Sequence, residues 1–154
     1  MRAVNKIVVC FLLLVAFAGC GKEKIVEPEP ISKVPAIKFV SIEPGTAVKY
    51  RDQIGITIEY TDGDGDLGEN VADVKNLFCT DSRNNVTYQF RIRQLAPDTA
   101  TIAITGKLKF NLDPQGFVDD SHTSETATYS IYVKDRAGNQ SNSVETTPLV
   151  INAQ

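Results

Sequence analysis

Residues 54–70 read IGITIEYTDGDGDLGEN, and two patterns meet in them. In the first half, Ile54, Ile56, Ile58 and Tyr60 alternate with Gly55, Thr57 and Glu59. Successive side chains of a strand point to opposite faces, so this period of two predicts a strand with one apolar face. In the second half, Asp62, Asp64 and Asp66 alternate with Gly63 and Gly65. Carboxylates so close repel one another. Either water solvates an acidic turn, or a cation sits among them.

The same period recurs outward from this stretch. Tyr88, Phe90 and Ile92 alternate with polar neighbours, as do Tyr129, Ile131 and Val133, and Ile102, Ile104, Leu108, Phe110 and Leu112 continue on even positions across Gly106, which suggests a bulge or bend there. Candidate strands are therefore 53–60, 76–81, 86–94, 100–112, 126–135 and 142–152, with a weaker run at 36–42. Pro148 interrupts the last of them, which places it at an edge or a bend. No stretch shows helical periodicity. About seven short strands separated by turn signals predict an all-β chain folded as an antiparallel immunoglobulin-like β-sandwich. Because consecutive strands reverse direction, the loops 61–75, 95–99 and 136–141 should gather at one end and 113–125 at the other.

Aspartates at the first, third and fifth places of a loop can turn their carboxylates around one centre, and glycines between them permit tight curvature. Calcium takes six to eight hard oxygen ligands. Counting Asp62 as position one, Asp73 falls at position twelve, where an EF-hand carries its bidentate glutamate, but position six is Leu67 instead of the glycine that loop requires. The expectation is a structural calcium site in a β framework, with a solvated acidic turn as the alternative. Asp135 shares the parity of Tyr129, Ile131 and Val133 and should point inward near the loop, as a further ligand or as the first residue of a type I turn, Asp135-Arg136-Ala137-Gly138. The candidate metal ligands are thus Asp62, Asp64, Asp66, Asp73 and Asp135.

Other chemistry is sparse. His122 is the only histidine, so a zinc site of cysteines and histidines is excluded in practice. Its acidic and hydroxyl neighbours Asp119, Asp120 and Ser121 are adjacent on one loop, whereas a catalytic triad converges from separate segments. No catalytic residue is assigned. Cys79, within Asn76-Leu77-Phe78-Cys79-Thr80, reads as a small buried apolar side chain.

The N-terminus, MRAVNKIVVCFLLLVAFAGCGKEK, has a basic start at Arg2 and Lys6 and then an uncharged apolar run over 7–18. At about 12 residues this run is short for a bilayer span and suits a signal peptide. Small residues precede Cys20, and the whole resembles a bacterial lipoprotein signal, cleaved before a cysteine that then receives lipid. The reading is a signal peptide over 1–19, lipidation at Cys20, a proline-rich tether over 20–35 that reaches up to roughly 45 Å, and one domain over 36–154. Of 16 basic residues, Arg2 and Lys6 leave with the signal, so 14 remain against 19 acidic ones, a net charge of −5. No basic stripe is present to meet phosphates, which argues against nucleic acid.

With DGDGDLG, TDSR at 80–83 and DRAGNQSN near the end, the chain resembles a group of small surface lipoproteins of Bacteroidota-type bacteria. That resemblance implies an immunoglobulin-like domain anchored at the outer membrane, surface-exposed or facing the periplasm, and no settled activity. It also implies an O-glycosylation acceptor at Thr99, within Asp98-Thr99-Ala100. The functional expectation is a lipid-anchored, non-catalytic module that binds or scaffolds at the cell envelope. Membrane contact comes through the anchor, and a glycan or protein ligand sits at the gathered loop end. The alternative is an accessory or inhibitory subunit of an envelope enzyme or transporter.

Overall fold

In the computed structural model, which describes residues 30–154, Ile54, Ile56 and Ile58 are fully buried, as their alternation predicts. The expected signal peptide, the lipidation residue Cys20 and the tether up to residue 29 lie outside the described residues. Ten strands follow one another: β1 Ala36–Glu43, β2 Thr46–Val48, β3 Ile54–Asp62, β4 Leu77–Asp81, β5 Thr87–Phe90, β6 Ile104–Leu112, β7 Ser124–Ala127, β8 Tyr129–Val133, β9 Val144–Glu145 and β10 Leu149–Asn152. Among the described residues no helix is long and apolar enough to cross a membrane.

The strands form a β-sandwich. In one sheet β3 lies between β1 and β6, all antiparallel. The β3–β6 register runs unbroken from Ile54 opposite Leu112 to Asp62 opposite Ile104. Of the bulge or bend expected at Gly106, the bulge is therefore absent. Gly106 pairs in register with Tyr60, and the missing Cβ makes room for that ring, whose hydroxyl would lie 2.6 Å from a Cβ there.

Two further sheets, β5-β4-β8-β9 and β2-β10-β7, complete the fold. The single strands expected at 126–135 and 142–152 are each divided. Pro148 has no N–H to offer across the hairpin, and Thr128 turns to Ser82 instead, donating its N–H to Ser82 Oγ (3.1 Å) and accepting from the Ser82 N–H (3.0 Å). Tyr129 and Thr146 carry the hairpin over the break, through the Thr146 N–H on the Tyr129 carbonyl (3.0 Å) and the Tyr129 N–H on Thr146 Oγ1 (3.1 Å). One pairing departs from the antiparallel expectation, because β10 runs antiparallel to β7 but parallel to β2.

Two further strands are shorter than the apolar pattern suggests. Beyond Phe90 the chain leaves the ladder, and the side-chain amide of Asn76 takes the place of a strand partner. The Ile92 N–H donates to Asn76 Oδ1 (2.6 Å), and Asn76 Nδ2 donates to the Ile92 carbonyl (3.2 Å). Asn142 holds β1 in the same manner, accepting from the Ile37 N–H (2.8 Å) and donating to the Ile37 carbonyl (2.9 Å). Residues 100–103 precede β6 and run beside the acidic loop, where the Ile102 carbonyl approaches Gly65.

All three sheets supply the core, which includes Ile54, Ile56, Ile58, Leu77, Tyr129, Ile131, Leu149 and Ile151. Each such aliphatic side chain contributes about 1.5–3 kcal/mol by leaving water. Cys79 is fully buried among them, its thiol pushed up to about 12 by burial and then by Asp81, so it packs as the small apolar group expected of it. The expected gathering of loops is also present. Arg136 N–H reaches the Asp66 carbonyl (3.2 Å), Arg136 Nη1 the Gly68 carbonyl (2.9 Å), and Glu69 N–H the Ile92 carbonyl (2.9 Å). At the far end Arg83 Nη1 donates to the Gly116 carbonyl (2.9 Å).

Candidate metal centre

The parity that buries Ile54, Ile56 and Ile58 also turns Asp62, the last residue of β3, toward the core. Asp62 is fully buried. Its Oδ2 accepts the Leu67 N–H at 2.8 Å, while its Oδ1 has no hydrogen-bond partner. Asp64 Oδ1 and Asp66 Oδ1 are likewise shielded from solvent and unpartnered. One carboxylate oxygen from each of the three aspartates lies within 4.8 Å of the others. Among the described residues no lysine or arginine forms an ion pair with any of the three; the charge of Arg136 acts on Asp66, but its guanidinium is directed to the Gly68 carbonyl and to Asp98. An unpaired carboxylate in such a place is costly. Three of them facing one point form a set of hard oxygen donors that could hold a metal ion.

The backbone fits this arrangement. Gly65 has φ +76°, and a Cβ there would sit 2.5 Å from the Ile102 carbonyl oxygen, so no other residue fits between Asp64 and Asp66 without displacing them. Leu67, the residue that breaks the likeness to an EF-hand, is fully buried in the core and faces Asp135 across an isolated antiparallel bridge. The loop is thus fixed by an apolar plug where an EF-hand would turn on glycine.

Burial pushes the Asp62 carboxyl above the ordinary carboxylate range; the Leu67 amide opposes the rise, and the charges of Asp66 and Asp64 add to it. Burial raises Asp66 as well, followed by the charge of Asp135. Asp135 therefore stands beside the cluster, as its parity suggests, but its own carboxylate closes a turn. Asn139 donates its backbone N–H to Oδ1 (2.7 Å) and its side-chain amide to Oδ2 (2.8 Å), and the Gly138 N–H reaches the Asp135 carbonyl (3.2 Å). Asp73 is not drawn in. It is exposed, on the stretch beyond Leu67 that leads away over the surface, and the clustered carboxylates are those of Asp62, Asp64 and Asp66 alone.

Thr99 is exposed in a turn whose Ala100 N–H donates to the Pro97 carbonyl (2.9 Å). It belongs to the same end as the acidic loop, where Asp98 meets Arg136 at 3.6 Å.

The opposite end has a different buried charge cluster, which the sequence reading missed. Asp81 is fully buried and takes Arg83 Nη2 at 2.7 Å and the Arg83 N–H at 2.9 Å; Arg83 Nη1 also reaches Glu125 at 2.9 Å. Burial works against the charge on Glu125, but the amides of Asp119 and Val118 and then Arg83 outweigh it and hold the carboxyl below its usual range. His122 lines a cavity with Glu125 and Asp119. Its Nε2 is 3.9 Å from Asp119, and the Glu125 oxygens are occupied by Arg83, Val118 and Asp119. The alternation that turns Asp81 inward was visible in the sequence; the convergence of Arg83 and Glu125 on one point was not.

No protein-family model matches the chain, and neither does any curated protein or solved structure.

Proposed function

We propose that this chain is a lipid-anchored, non-catalytic module of the cell envelope that works by binding or scaffolding, and that calcium holds its acidic loop. The observation that carries the calcium reading is the set of three solvent-shielded, unpartnered oxygens of Asp62, Asp64 and Asp66. Calcium suits this loop better than magnesium because it accepts more protein ligands in looser geometry. Backbone carbonyls and waters would complete its shell. The role is structural: the ion cancels the repulsion and fixes the long β3–β4 connection in a domain whose one described cysteine is free.

The first two strands divide between sheets, β1 lying antiparallel to β3 and β2 parallel to β10. This supports the immunoglobulin-like connectivity. Anchoring at Cys20 rests on the N-terminal pattern of charge, apolar run and cysteine. The commitment of the Glu125 oxygens to Arg83 and two amides supports a non-catalytic reading, since Glu125 is not free to work with His122.

Thermal unfolding of the chain with calcium, with magnesium and with chelator tests the metal reading. A ligand that binds only the folded state raises its midpoint by mass action. A calcium-selective rise is expected, and Asp64→Ala should remove it. Identical midpoints in all three conditions would sink the site.

A further inference from the structure

Among the described residues, large apolar side chains stand in solvent at both ends of the sandwich, with Tyr50, Val86 and Val118 at the far end. Ile31, Val71, Val74, Leu95 and Ile102 all belong to the end of the sandwich that carries the acidic loop. Val71 is 57% exposed and Ile102 54%. They come from three separate segments, the stretch before β1, the β3–β4 connection and the β5–β6 connection, and these segments touch. The Gly63 N–H donates to the Ser32 carbonyl (2.8 Å), the Ile102 carbonyl lies against Gly65, and Arg91 Nη1 donates to the Asn70 carbonyl (2.8 Å). Each segment also exposes a basic residue close in sequence to its apolar ones: Lys33, Lys75 and Arg93.

The chain enters the sandwich at this same end. Ala36, the first residue of β1, pairs with Thr61, immediately before Asp62. Cys20, the proposed anchor, lies ten residues ahead of Pro30. A lipid there tethers the domain through the segment that enters at this end.

We propose that the acidic-loop end of the sandwich seats on a lipid bilayer, with Ile31, Val71, Val74, Leu95 and Ile102 entering the headgroup boundary and Lys33, Lys75 and Arg93 meeting anionic headgroups. Apolar burial combined with basic attraction is what holds amphipathic surfaces at that interface. These five exposed groups are all aliphatic, which suits acyl chains, whereas the exposed aromatic ring of Tyr50 belongs to the far end. A cation among Asp62, Asp64 and Asp66 assists, because it cancels negative charge that would otherwise face anionic lipid. The orientation rests on the anchoring proposed above, but the seating is read out separately.

The chain contains no tryptophan, so a single introduced one reports its own surroundings. The full chain, with calcium, is reconstituted on vesicles of phosphatidylcholine and phosphatidylglycerol with brominated acyl chains, as Val71→Trp, Ile102→Trp or Val118→Trp. All three positions are exposed, so the fold should accept the ring, and Val118 reports the opposite end. Blue-shifted and strongly quenched emission from Val71→Trp and Ile102→Trp is expected, with water-like, unquenched emission from Val118→Trp. A chain that floats with the vesicles while Val71→Trp and Ile102→Trp remain water-like overturns the seating alone and leaves that end to a soluble protein or glycan. A chain left behind when the vesicles float overturns both the anchor and the seating.

Discussion

Asp62 and Asp81 are both fully buried, each the last inward-facing residue of its strand, at opposite ends of the sandwich. Asp81 is neutralised by Arg83 at 2.7 Å. Asp62 faces two further carboxylates and keeps one oxygen unpartnered. The same local pattern, an acid on the inward parity of an apolar strand, is thus completed within the chain at one end and left for an ion at the other.

This contrast makes Asp62→Asn informative. Asparagine retains an oxygen for the Leu67 N–H and removes a buried charge. In chelator the variant should be as stable as the parent or more so, by about 1–2 kcal/mol. In calcium it should lose the metal-induced rise. Thermal unfolding of both proteins in both conditions checks this. A variant that is less stable than the parent in chelator, and by the same margin in calcium, would make Asp62 a structural residue with no part in metal binding.

At the far end, Arg83→Ala leaves Asp81 and Glu125 buried without their cation. Breaking one side of such a cluster costs about 3–5 kcal/mol. Urea unfolding should register this loss, and Asp81→Asn combined with Arg83→Met should recover part of it. The calcium-induced rise should survive the change in Arg83, because the two sites share no partner.

Gly65→Ala forces a left-handed backbone onto a residue with a Cβ and drives that Cβ toward the Ile102 carbonyl. The strain costs about 1–2 kcal/mol, and the larger consequence is misplacement of Asp64 and Asp66. Calcium affinity, followed by titration calorimetry, should fall well beyond what the stability change in chelator accounts for. Gly45→Ala, where a Cβ meets nothing within 4 Å, should leave calcium affinity unaltered.

The pH dependence has a definite sign. Asp62 and Asp66 have carboxyl pKa values above the ordinary 3.8. Between that value and the raised one, the metal-free native state holds more protons than the unfolded chain, so these two groups make stability fall as pH rises through the window. Calcium requires the deprotonated carboxylates, so the rise it produces should grow with pH over the same range. Comparing the parent with Asp62→Asn and Asp66→Asn across pH, with and without calcium, isolates this contribution from that of Glu125, which runs the other way.

Much of this was legible before the structure. The isoleucines of β3 and the Tyr129-Ile131-Val133 run declared their inward faces by period alone, and strand reversal placed the acidic loop beside Asp135. What escaped was settled by partners distant in sequence. Nothing in 126–135 marks a break at Thr128, since the apolar alternation continues through it; the break comes from Pro148 on the facing strand and from Ser82. Asn76 and Asn142 look like ordinary polar residues at the starts of predicted strands, yet each replaces a rung of backbone pairing. Leu67 was visible only as a mismatch, because a periodicity cannot say that a residue within an acidic loop plugs the core. Asp73 looked like a ligand by spacing, and the chain beyond Leu67 takes it elsewhere.

The parallel seam between β2 and β10 has a consequence for the order of events during synthesis. It joins Thr46–Val48 to a segment made roughly a hundred residues later. Until Leu149–Asn152 arrives, both β2 and β7 present unpaired edges that other chains can capture. A ribosome that stops just before Leu149 would release a chain holding nearly every core side chain and two open flanks, and it should aggregate rather than fold loosely.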